Sequence, residues 1–217
     1  VWQAVVSQPS NREARLAAPG KLDASLGEFW VENPWEIITK GHNLSAYERD
    51  RLFLNHSGGD FADVSGLSGA DSEGDGRSVV AADFRNDGHL DLLVRQVGGG
   101  PLLLFENQFP KRHYLEVSLR GTKSNRLGIG SRIVLEAGRR RQMREVYPIN
   151  TFRSQGPIRA HFGLAESTKV NRLVIQWPSG EEQELKDLAG DRHIVVEEGK
   201  LGPAAIETVI PGKTFRP

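Results

Sequence analysis

The chain has 217 residues, 24 glycines, no cysteine and no net charge, enough for one large or two small domains with a real core. Disulfides are excluded, and so is a membrane-spanning helix, because no run of about eighteen apolar residues exists. The charge is unevenly placed: residues 1–107 carry 9 Lys and Arg against 16 Asp and Glu, and residues 108–217 carry 19 against 12. A swing from −7 to +7 marks a domain boundary and gives halves that attract one another. Overall neutrality, with no nucleic-acid motif, argues against nucleic acid as a partner. Short β-type runs punctuated by glycine predict an all-β class.

Residues 1–48 form an N-terminal segment of extended character. Val1 to Val6 reads as a strand or an apolar plug, and Trp30, Val31, Trp35, Ile37 and Ile38 form a second apolar cluster interrupted by Pro34. Asn43-Leu-Ser45 and Asn55-His-Ser57 fit the glycosylation acceptor pattern. The start at Val1 suits a processed mature chain and equally a piece of a longer one. In residues 49–109 a partial repeat emerges: Arg51-Leu-Phe-Leu-Asn55 recurs 52 residues later as Leu103-Leu-Phe-Glu-Asn107. That period suggests propeller blades, yet only about one blade is present where a closed propeller needs about four. Gly98-Gly99-Gly100-Pro101 reads as a turn or hinge.

The stretch Asp83-Phe-Arg-Asn-Asp-Gly-His-Leu-Asp91 spaces three carboxylates four residues apart, with Gly88 after the middle one. Short carboxylates on a tight turn can converge on a hard cation, so calcium is the candidate cofactor. The metal-site candidates are Asp83, Asp87 and Asp91, with the backbone carbonyl of His89 added by analogy with other acidic loops. The turn is not an EF-hand, since its twelfth position is Val94 and its flanks are short apolar runs that predict strands. Ala82 to Val94 resembles the calcium-loop strand pair of an FG-GAP (integrin-type) propeller repeat, and Leu52 to Ser68 resembles the outer part of the same blade. The family usually has Asp or Asn at the third loop position, where this chain has Arg85. A guanidinium beside three carboxylates could satisfy them without a metal, so both readings stay open.

From Pro110 onward the alternation sharpens. Leu115, Val117 and Leu119 share one strand face; Ile133 with Leu135, then Ile158, Ala160 and Phe162, then Leu173, Ile175 and Trp177 repeat the period of two. His193 to Glu197 adds another strand, and turn signals every 8–12 residues predict a jelly-roll-like β-sandwich over 110–198. Phe162 and Trp177 fall on the apolar parity and are expected in its core. Gly121-Thr-Lys-Ser-Asn125-Arg-Leu-Gly128-Ile-Gly130, His161-Phe-Gly-Leu164 and Val174-Ile-Gln-Trp177-Pro-Ser-Gly180 resemble the ASPIC/UnbV domain, which follows FG-GAP repeats in secreted proteins. The chain departs from that family around Tyr147 to Arg153, where a glycine-rich segment is usual. Residues 199–217 read as a tail too polar for a core.

Two candidate binding surfaces follow. Lys123, Asn125 and Arg126 sit in a glycine-bounded loop that could present donors to an anion or a sugar, or could tie itself to neighbouring backbone. Arg139, Arg140 and Arg141 with Arg144 could meet a sulfated glycan, an anionic membrane surface or the acidic half of the fold. They could equally be a charged sheet edge. The six histidines are scattered, with no H-E-x-x-H pair, no G-x-S-x-G elbow and no cysteine nucleophile. The expectation is an extracytoplasmic (periplasmic or secreted), non-catalytic protein-binding module. It would act as an accessory subunit of a larger, membrane-associated assembly, with both chain ends laid along a protein partner. A carbohydrate- or glycosaminoglycan-binding module is the alternative.

Overall fold

The computed structural model describes residues 2–4, 25, 29–31, 49–55, 59–97, 101–147, 152 and 154–209. The chain divides into two compact units, one made of residues 1–79 and 92–105, the other of 80–91 and 106–217. Most of residues 1–48, the sequence around Asn43, and Gly98 to Gly100 lie outside the described residues.

In the first unit, β1 (Trp2–Ala4) pairs antiparallel with β2 (Phe29–Val31), so of the two readings of the chain's start, strand or apolar plug, Trp2 to Ala4 takes the strand. β3 (Phe53–Asn55) pairs antiparallel with β4 (Phe61–Asp63). A single helical turn, Ser65–Ser68, follows and stops at Gly69 with φ +72°. Buried Ser65 secures this corner: its hydroxyl accepts the Leu52 N–H at 2.8 Å and donates to Asp63 Oδ1 at 2.5 Å. β5 (Asp75–Ala82), β6 (Asp91–Val97) and β7 (Leu102–Phe105) form a three-stranded sheet in that order. The two copies of the repeated motif thus include β3 and β7, which lie in separate sheets of this unit. The unit boundary cuts β5 and β6 near their joined ends, so the turn between them groups with the C-terminal unit.

That second unit is a sandwich of eight strands: β8 (His113–Arg120), β9 (Arg132–Ala137), β10 (Arg140–Glu145), β11 (Ala160–Ala165), β12 (Lys169–Gln176), β13 (Glu182–Ala189), β14 (Arg192–Glu197) and β15 (Ile206–Val209). One sheet runs β10-β9-β12-β13 and the other β11-β8-β14-β15. Alternation explains the core. Leu115, Val117 and Leu119 of β8 turn inward against Ile133, Leu135, Phe162, Leu173, Ile175, Ile194 and Val196. Phe162 and Trp177 are buried as expected. The Trp177 indole N–H donates to Gln183 Oε1 at 2.9 Å, and the Gln183 amide donates to the Glu197 and Lys200 carbonyls at 3.1 and 2.6 Å. This satisfies the polar edge of a buried ring.

Two features were not legible in the alternation. β8 and β14 are parallel neighbours, a long-range pairing that a period of two does not specify. The expectation for the tail also needs correcting in part. Ile206 to Val209 forms the edge strand on β14, with Ala205 in the core. Backbone pairing recruits a strand whatever its side-chain polarity, so a polar composition did not forbid it. Residues 210–217 lie outside the described residues.

Candidate functional site

The acidic turn opens as β5 ends and closes as β6 begins. Asn86 and Gly88 take left-handed backbone angles, φ +53° and +87°, which let eight residues reverse direction. Asp83 caps the turn from within, its two oxygens accepting the Asp87 N–H at 3.0 Å and the Gly88 N–H at 2.7 Å. Asp87 accepts the His89 N–H at 3.1 Å. Burial would raise the Asp87 carboxyl, but that N–H and the Arg85 charge outweigh it and hold it low. Asp91 is fully buried. It accepts Arg85 Nη2 at 3.0 Å, Arg85 Nε at 3.4 Å and the Asn107 N–H at 2.9 Å. The same guanidinium donates to the Asn107 carbonyl at 3.3 Å and lies 3.7 Å from Asp87 Oδ2.

The three aspartates of the proposed metal site are therefore close in space, and each already accepts protein donors. A calcium ion, which takes six to eight oxygen ligands with waters among them, would have to share these carboxylates with the donors they already hold. Among the described residues no three His, Cys, Asp or Glu side chains are placed to hold a metal.

The turn docks on the outer face of the second sandwich sheet through Gly88. A Cβ there would lie 2.2 Å from Cε1 of Tyr114, so the ring occupies the space a side chain would need. His161 Nε2–H donates to the Gly88 carbonyl at 2.9 Å, and the imidazole stacks on Tyr114 with centroids 5.8 Å apart and planes 4° from parallel. Burial lowers the His161 pKa, with the Gly88 carbonyl acting the other way. Nothing in sequence spacing joins Gly88 to Tyr114 and His161.

Across that sheet His161, Glu116 and His193 stand in lateral register on β11, β8 and β14. Glu116 is 5% exposed, and burial raises its carboxyl against the opposing pull of Arg159, 3.4 Å away. His193 Nε2 bonds the Ser118 hydroxyl at 2.8 Å. Burial, helped by Arg159, lowers the His193 pKa to about 4. Two clefts of about 450 and 390 Å³ adjoin this row and share Asp83, Asn86 and Glu116. Phe84, Arg144 and Arg159 wall the larger, and Tyr114, Asp191 and Thr208 the smaller.

The loop at 121–130 is a ring of backbone donors already filled by an internal anion. Glu198, 2% exposed, accepts the N–H groups of Thr122, Lys123 and Ser124, each at 2.8 Å. It also accepts the hydroxyls of Ser124 at 2.7 Å and Ser179 at 2.6 Å. Burial would raise its pKa, but the N–H groups of Ser124 and Thr122 and the hydroxyls of Ser179 and Ser124 outweigh it and hold it at about 2. The loop's side chains point elsewhere. Lys123 pairs with Glu181 at 2.9 Å. The Asn125 amide exchanges two bonds with the Ile129 backbone at 2.7 and 2.8 Å, and Arg126 is exposed. Glu198 gave no sign of this role in the sequence, where it follows an apolar strand as one of two adjacent acids.

The arginine cluster is divided by strand parity. Arg140 and Arg144 pair with Ala137 and Ile133, which face the core, whereas Arg141 pairs with Glu136 on the other face. Arg139 lies in the turn before the strand. The Arg144 guanidinium sits 5.3 Å from the Phe162 ring centroid, and Arg141 Nε lies 3.8 Å from Glu136. β10 is an edge strand, and its exposed arginines discourage pairing with other chains.

Taken together, these elements define an all-β protein in which a blade-like segment precedes a mixed β-sandwich. Residues 41–94 match the family model for the FG-GAP-like repeat, and residues 121–202 match that for ASPIC and UnbV. The chain carries an FG-GAP-like repeat followed by an ASPIC and UnbV domain. No curated protein matches it. Both Glu198 and the loop it fills fall inside the second matched region, while Tyr114 and Asn107 lie between the two.

Proposed function

We propose that this chain is a non-catalytic protein-binding module, an accessory part of an extracytoplasmic assembly. The observation that carries this reading is the pair β3 and β4, whose every residue is exposed, with Phe53 at 54% and Phe61 at 59%. Leu67, Leu102 and Leu104 of the same unit are also exposed. Large aromatic and aliphatic groups left exposed in one unit are the kind of surface that meets another protein. The most buried carboxylates, Asp91 and Glu198, are saturated by internal donors, which suits a scaffold better than a reagent. A photo-crosslinking residue placed at Phe61 in the native host should give one discrete protein adduct. That adduct should vanish with Phe53→Glu and be absent when the probe sits at Met143. Adducts equally abundant at both positions would reject the reading, and recovery of the tagged chain in the cytosol would reject its compartment.

A second reading, saccharide binding, is favoured by the clefts beside Asn86 and Glu116. A buried carboxylate, an amide, a guanidinium and the exposed ring of Phe84 are the groups that bond and stack on a sugar. Chitotriose and a heparin tetrasaccharide, titrated by NMR, should then shift Asn86 and Ala160, and Glu116→Gln should weaken the response. Absence of shifts with both would remove this reading.

A further inference from the structure

We infer that the Arg85 guanidinium is the resident cation of the Asp83–Asp91 turn, and that this chain closes the turn without a divalent ion. A fully buried carboxylate needs a partner charge or several donors, because stranding it unpaired in the protein interior is strongly unfavourable. Asp91 has both from protein groups: the forked donors of Arg85 reach its two oxygens, and the Asn107 N–H takes one of them as well. Arg85 also approaches Asp87 and holds the Asn107 carbonyl, so one side chain links the middle of the turn, its end and the connector after β7. The Asn107 amide completes the link by donating to the Leu90 carbonyl at 3.2 Å.

A calcium ion would have to share oxygens that each already accept a backbone donor, using only their second lone pairs. Both oxygens of Asp83 hold backbone N–H groups, and Asp87 Oδ1 holds another. An incoming divalent ion would also sit beside a fixed positive charge, which Coulomb repulsion disfavours most where water is scarce. The guanidinium suits the task because its planar fork matches a carboxylate bidentately and it keeps its charge at any physiological pH. The docking of Gly88 against Tyr114 and His161 is therefore not gated by calcium concentration, nor is any binding made by the face around it.

Titration calorimetry and thermal melting test this. Chelator-treated wild-type protein should give no saturable heat with millimolar calcium, and its melting temperature should be the same in calcium and in chelator. Arg85→Asn and Arg85→Asp, which restore an oxygen donor and remove the guanidinium, should melt several degrees lower in chelator and recover in calcium. Terbium luminescence should rise saturably for those variants and not for the wild type. Saturable calcium binding by the wild-type chain, or a melting temperature that falls on chelation, would overturn the inference. Failure of calcium to restore either variant would also overturn it, by showing that Arg85 does not stand in a cation's place. Should both variants fail to fold, the wild-type titration still decides.

Discussion

Ser124 gives Glu198 two hydrogen bonds from one residue, its N–H at 2.8 Å and its hydroxyl at 2.7 Å, across 74 positions of sequence. This contact clasps the 121–130 loop to the end of β14. It also orders the turn after Trp177, because Ser179 bonds the same carboxylate and gives its N–H to Ser124 Oγ at 3.2 Å. A single buried carboxylate thus fixes three loop segments.

Glu198→Ala should cost about 1–3 kcal/mol, since it leaves a ring of part-buried donors without their acceptor. Urea denaturation at neutral pH would measure it. The pH dependence has a definite sign. With a folded pKa of about 2 against an ordinary value of 4.5, the carboxylate's stabilisation is complete above 4.5 and is lost as pH falls toward 2. The acid limb of the wild-type stability curve should therefore be steeper than that of Glu198→Gln over this interval.

Gly88→Ala should destabilise the docked turn by about 1–3 kcal/mol, because a φ of +87° strains any residue with a Cβ. Crowding against the Tyr114 ring adds to that strain. Adding Tyr114→Ala should relieve the crowding and leave the backbone strain, so the two effects should not be additive. Chemical denaturation of the three variants would show it, and the His161 ring resonances should shift in Gly88→Ala.

How much of this could be read beforehand depends on which force set each feature. The sandwich strands were legible because half-buried strands must alternate, and Leu115, Ile133, Phe162 and Trp177 obey that rule. The acidic turn was legible from the spacing of its aspartates, but its cation was not, since spacing cannot say whether Arg85 turns in toward Asp91 or out to water. Strand parity does separate Arg140 and Arg144 from Arg141, so counting the arginines as one patch overlooked a signal that was present. Glu198 and the Gly88 contacts depend on segments far apart in sequence, which no local pattern encodes.

Acidification should also act through His193. Its pKa is lowered to about 4 by burial, so the folded state resists protonation while the unfolded chain accepts a proton near 6.5. Stability should therefore decline as pH falls from 6.5 toward 4, and His161 should add in the same direction. Glu116 works oppositely: burial raises its carboxyl, so acidification through that raised value favours the folded state. NMR titration of the His193 ring should show a midpoint near 4. In His193→Gln the corresponding part of the stability decline should be missing.

The strand at the end of the sandwich offers the most direct test of what the tail does. β15 covers one edge of β14, with Val196 opposite Ile206 and His193 opposite Val209. Ala205 is buried, Ile206 packs against the core, and Glu207 pairs with Arg120 at 3.0 Å. Ending the chain after Lys200 removes all of these and bares the backbone of β14, a strand whose Ile194, Val195 and Val196 are buried. The expected loss is about 2 kcal/mol or more from apolar contacts alone. The bared strand should also raise light scattering at concentrations where the full chain stays clear, because an unpaired apolar edge recruits other backbone. Replacing Ile206 by Lys should reproduce the loss of stability with little scattering, since the edge stays covered. If truncation leaves both the urea midpoint and the scattering unchanged, β15 contributes nothing to the fold, and its segment is free for a partner.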